Sequence, residues 1–149
     1  MSQEKIIASG IKHYTFVDEN GNDTGRSVDF SPTDQGFAEE LYGLTSKIDK
    51  IHEAKLREYE KAEDAAVRFD IGRAEDKEMR EAVDALFGEG FCGDVFKVRL
   101  FALVDGLTVV ESFLLSLLDE MDESITASIA ARDARVRKYT DKYSKKYHN

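Results

Sequence analysis

From Phe37 onward the apolar residues return at alternating steps of four and three: Phe37, Leu41, Leu44, Ile48 and Ile51. That spacing gathers all five on one side of an α-helix, where only a neighbouring helix can cover them. A second seam repeats the pattern in Leu107, Val110, Leu114, Leu117 and Met121, widened by Phe113 and Leu118. Ile125 and Ile129 extend the same face. A single proline in 149 residues leaves such helices unbroken. The seams predict a mainly α protein of long antiparallel helices, a helical hairpin or bundle, folded as one domain. At 1.5 Å per residue the last helix runs about 40 Å or more. Helices of that length cover one another only partly, so self-association into a homo-oligomer is expected.

Residues 1–30 differ from this body. KIIAS and IKHYTFV are rich in β-branched and aromatic residues, DENGNDTG supplies turn chemistry, and RSVDF returns to the strand pattern. A small N-terminal β-hairpin is predicted, with Asn20-Gly21 at its turn. Ser31-Pro32-Thr33-Asp34 then reads as a helix start, the serine capping and the proline in the first helical position. The helical body is expected over 31–131, with Val95 near the start of its last large element, and a basic tail over 132–149.

Between 47 and 64 eleven of eighteen residues are charged, so this stretch reads as helix only weakly anchored to the body. Glu53 with Arg57, and Glu58 with Lys61, stand at helical pair spacing. Tyr59, Ala62, Ala66 and Phe69 restore an apolar stripe. Gly72 leaves open whether the helix breaks, and residues 73–87 continue as helix until Gly88 stops them in a left-handed conformation.

FGEGFCGDVF, residues 87–96, wraps three glycines around the only cysteine. It lacks the strand-to-helix setting of a dinucleotide loop and the Gly-Lys-Ser/Thr of a phosphate loop. Cys92 has no histidine close in sequence to serve as its base, and the stretch reads as a joint between helices with Cys92 buried as a small hydrophobe. DENGNDTGRSVD fails as a calcium loop, with Asp23 where glycine is needed and Asp29 in place of the closing glutamate. Asp119, Glu120, Asp122 and Glu123 point in different directions on a helix and read as a solvated face. With one cysteine and three scattered histidines the chain carries no cofactor or metal motif and no catalytic constellation, and a reducing compartment is expected. The opening MSQEKIIASG lacks the apolar core of a secretory signal. The apolar run 100–118 contains Asp105 and Glu111, and it reads as a buried helix rather than a membrane span.

The net charge is −9, yet residues 132–149 hold seven Lys/Arg against two Asp. An acidic body disfavours general nucleic-acid binding. In the tail, Tyr139, Tyr143 and Tyr147 stand four apart beside Lys138, Lys142 and Lys146. On a helix they form adjacent aromatic and cationic rows. Three readings fit: a last helix packed on its own bundle, a protein-binding surface centred on Tyr139, Lys142, Tyr143 and Tyr147, or a single-strand nucleic-acid surface.

SPTD before an apolar helix, the FGEG-x-C corner, VDGL at 104–107 leading into FLL, and the closing KYTDKY together resemble a family of small helical proteins of phages and prophages of Gram-positive bacteria. Its members are encoded in tail-morphogenesis modules. The resemblance spans residues 27–143 and departs from the family in the longer DENGNDTGRS insertion. It implies a non-enzymatic tail-assembly protein, chaperone-like or a minor structural component, that binds the tape-measure or major tail protein. Its setting would be the host cytoplasm or the finished virion. The alternative is a nucleic-acid-associated protein acting through the tyrosine-rich tail.

Overall fold

The computed structural model describes residues 10–18 and 20–147, apart from the side chains of 139 and 143–147. KIIAS, predicted to begin the β element, lies outside them. The described chain is mainly helical with a small N-terminal antiparallel sheet, as the seams and the strand pattern predict. Strands β1 (Lys12–Val17) and β2 (Asp23–Phe30) form the hairpin. Its turn is pinned by Asp18, whose Oδ1 accepts from the N–H groups of Asn20 and Asn22 at 2.9 and 3.0 Å, while Gly21 takes a φ of +80°. Between Thr15 and Val17 the register shifts, and Gly25 there adopts a φ of +76°. Such a bulge bends the strand and re-aims its side chains.

Helix α1 (Gln35–Lys61) starts three residues later than the Ser31-Pro32 signature suggests. Ser31 accepts the N–H of Asp34 at 3.1 Å, closing a turn around Pro32, and Asp34 is the cap, its Oδ1 accepting from Gly36 N–H at 2.9 Å. A charged carboxylate at the positive helix end outcompetes the serine hydroxyl. Asp64 repeats this device at the start of α2 (Ala65–Phe87), accepting from Ala66 N–H at 2.9 Å. The charged stretch is therefore not one continuous helix. It turns at 62–64 and α2 folds back on α1 as an antiparallel hairpin, passing through Gly72 without a break.

The glycine joint follows. Gly88 caps α2 with a φ of +116°, while the left-handed conformation belongs to Gly90, which opens the short helix α3 (Phe91–Val95). Phe91 is buried at the centre of an aromatic cluster, with ring centroids 5.2 Å from Phe16, 4.9 Å from Phe87, 6.4 Å from Phe96 and 5.9 Å from Phe113. From β2, Arg26 reaches the joint, its Nε 2.5 Å from Asp94 and its Nη2 donating to the Glu89 carbonyl at 3.1 Å.

The last large helix does not begin near Val95. Residues 96–102 form an irregular segment, and Leu103–Val104 (β3) pairs with Leu107–Thr108 (β4) around Asp105 and Gly106, whose φ angles are +50° and +83°. Two consecutive positive φ values mark the tight hairpin turn that Asp-Gly favours. Helix α4 (Val109–Tyr147) follows at once. Thr108 and Glu111 cap each other: Glu111 Oε1 accepts from Thr108 N–H at 3.1 Å and from its hydroxyl at 2.7 Å, and Thr108 Oγ1 accepts from Glu111 N–H at 3.2 Å. Leu41, Leu44 and Ile48 of α1, Met79 and Val83 of α2, and Val110, Leu114 and Met121 of α4 close the core. Among the described residues no helix is long and apolar enough to cross a membrane.

Candidate binding groove

The segment 99–103 lies against the α1–α2 hairpin, its Leu100 N–H bonded to Asp76 of α2 and its Phe101 ring over Gly72. Between these elements opens a groove of about 650 Å³. α1 contributes His52, Lys55, Leu56 and Tyr59; α2 contributes Arg68, Phe69, Gly72 and Glu75; Arg99, Phe101 and Leu103 complete the wall. Phe69 is 67 % exposed and Leu103 74 %, so large apolar side chains meet solvent around a concave surface. Exposed leucines and phenylalanines scattered singly need no explanation, but here they are grouped around one concavity.

Gly72 shapes the floor. A Cβ at this position would stand 3.3 Å from Cζ of Phe101, so the bare backbone lets that ring lie directly on α2. The ring is held there from its neighbour. Leu100 is fully buried, and its N–H donates to Oδ1 of Asp76 at 2.8 Å. The other oxygen of Asp76 accepts from Arg80 Nε at 2.8 Å and Arg99 Nη1 at 3.3 Å. A buried carboxylate needs such partners to offset its lost hydration. Here three donors satisfy it.

Beside it, Glu75 is 6 % exposed, and its Oε1 lies 2.6 Å from Nδ1 of His52. Burial pushes the Glu75 carboxyl above the ordinary carboxylate range, while the hydrogen bond and charge of His52 pull against that rise. The pair ties α1 to α2. Among the described residues no serine, threonine or cysteine lines the groove, and its one hydroxyl is the Tyr59 phenol.

The rim is cationic in a chain whose net charge is −9. Lys55 lies 3.7 Å from Glu58 and 3.5 Å from Glu78, and Arg73 pairs with Asp70. Lys55, rather than the expected Arg57 or Lys61, thus makes the ion pairs recorded on this part of α1. Arg68 differs from the other rim cations. Its Nε donates to the Ala62 carbonyl at 3.0 Å and its guanidinium sits 4.8 Å from the centre of the Tyr59 ring, with no carboxylate partner among the described residues. An arginine spread over an aromatic face keeps donors available for an incoming acid.

The sequence-predicted residues lie elsewhere. Cys92 is buried in the glycine joint, its N–H donating to Asp84 at 2.9 Å and its thiol 3.9 Å from the Arg80 carbonyl. Burial, then Asp84, drive its pKa far above the ordinary thiol range. Tyr139, Lys142, Tyr143 and Tyr147 all fall on α4. Lys142 is exposed, whereas the tyrosine side chains lie outside the described residues. From 126 to 142 every described side chain is exposed, so this part of α4 leaves the bundle instead of packing on it. No family model, curated protein or solved structure matches the chain.

Proposed function

We propose that this is a non-enzymatic binding protein that receives an amphipathic segment of another protein in the α1–α2 groove. The observation that carries the reading is the grouping of Leu56, Tyr59, Phe69 and Leu103 around a concavity with Arg68 at its edge. Apolar anchors entering the groove bury aromatic surface, and an acidic flank meets the arginine, the combination that gives protein interfaces both energy and orientation. In the setting implied by the family resemblance, the partner is a phage tail protein, the tape-measure or major tail subunit. It is bound in the bacterial cytoplasm before polymerisation, with the groove masking a surface that would otherwise aggregate.

The nucleic-acid reading draws on the exposed cations of α4, but the acidic remainder of the chain repels a phosphate backbone. Titration calorimetry with the purified tape-measure and major tail proteins of the same phage tests the proposal. Binding to one of them is expected, weakened about tenfold or more by Phe69→Ser or Leu103→Ser, each of which leaves the melting temperature unchanged because both residues are exposed. Equal affinity of those variants would overturn the groove reading. A salt-dependent shift of single-stranded DNA without protein binding would favour the alternative.

A further inference from the structure

Helix α4 carries its charge in two blocks. Residues 109–128 hold five carboxylates, Asp119, Glu120, Asp122 and Glu123 among them, and no Lys or Arg. Residues 129–147 hold seven Lys/Arg and two Asp. Complementing the helix's own dipole does not account for this, since that effect fades within the first and last turn. The acidic cluster begins ten residues into the helix, and Arg132, Arg135 and Arg137 lie well short of its end. The apolar stripe outlasts the body as well. Ile129 and Val136 continue the face of Leu114, Leu118, Met121 and Ile125, and both are exposed. Helices in proteins draw most of their stability from packing of an apolar face, and from 126 to 142 no described side chain of α4 is buried.

We propose that two copies of the chain pair through α4 in antiparallel orientation, crossing near Ser128, the midpoint of the helix. About that point Arg132, Arg135 and Arg137 of one copy stand level with Asp119–Glu123 of the other, and the reverse holds across the two-fold axis. Parallel pairing would set acid against acid and base against base, so the two charge blocks select the orientation as flanking charges do in coiled coils. Ile125, Ile129 and Val136 supply the apolar contact. This surface is separate from the groove, and the pairing stands whether or not the groove binds a tail protein.

Sedimentation velocity of the full chain tests it without any substitution. A dimer is expected at micromolar concentration, with its dissociation constant rising about tenfold or more between 50 and 500 mM NaCl, as screening of facing charges requires. The triple variant R132E/R135E/R137E should sediment as a monomer with unchanged helical circular dichroism. For orientation, an equimolar mixture of Asp119→Cys and Arg137→Cys chains should oxidise to the mixed disulfide in preference to either homodimer, Cys92 being buried. A monomer at low salt, a dimer indifferent to both salt and charge reversal, or oxidation mainly to homodimers each overturns the proposal.

Discussion

Nδ1 of His52 stands 2.6 Å from Oε1 of Glu75, joining the charged half of α1 to the middle of α2 beside the groove. The carboxylate is almost wholly removed from water, and its raised pKa follows from that burial before anything else. A carboxyl whose folded pKa exceeds its unfolded value binds more protons in the native state. Its contribution is most favourable below the ordinary 4.5 and is lost as pH rises through the folded value. Glu75→Gln removes this dependence. In urea unfolding between pH 4 and 8, the stability of the variant relative to the unaltered chain is expected to increase with pH. A flat difference would show that His52 fully offsets the burial.

Thr108 offers a sharper structural test, because its buried hydroxyl both donates to and accepts from Glu111 at the start of α4. Thr108→Ala should cost about 1–2 kcal/mol by chemical denaturation, and Thr108→Ser should recover most of it. Equal loss in the two variants would assign the effect to the methyl group instead.

Phe91 touches four other rings and is sealed from solvent. Phe91→Ala is expected to remove about 3–5 kcal/mol, a large share of the roughly 5–15 kcal/mol that holds an average domain together. A thermal shift of only a degree or two would mean that the cluster collapses into the vacancy.

Cys92 should behave as a core atom and not as a reagent. With its thiol buried and its pKa pushed upward, labelling by a maleimide at pH 8 is expected to be slow in buffer and immediate in denaturant. Rapid labelling of the native chain would reveal local opening of the glycine joint.

The periodic seams made the helical class legible, since Leu41, Leu44 and Ile48 occupy the core in the way their spacing demands. The N-terminal hairpin was readable from its β-branched residues and Asn-Gly. The approach to α4 is not legible from periodicity because residues 100–118 are largely apolar, and a buried segment, a two-residue strand and a helix share that composition. Two local signals are nonetheless present: Asp105-Gly106 between Leu103-Val104 and Leu107-Thr108, and Thr108 three residues before Glu111. The turn at 62–64 is hidden by the density of charges on both sides of it, although Asp64 could mark it. The groove had no signature at all. His52 and Glu75 are far apart in sequence, and Arg99 and Phe101 join them only through the anchoring of Leu100, a tertiary outcome that no spacing announces.

That anchoring separates two jobs along five residues of chain. The segment 99–103 is moored inward by a main-chain N–H on Asp76 and by the sealed side chain of Leu100, while Arg99, Phe101 and Leu103 look out upon the groove. A main-chain mooring is indifferent to what its flanking residues carry. Leu103, 74 % exposed, can therefore be rewritten without loosening the scaffold, whereas Arg99 is tied to Asp76 and Phe101 lies on Gly72.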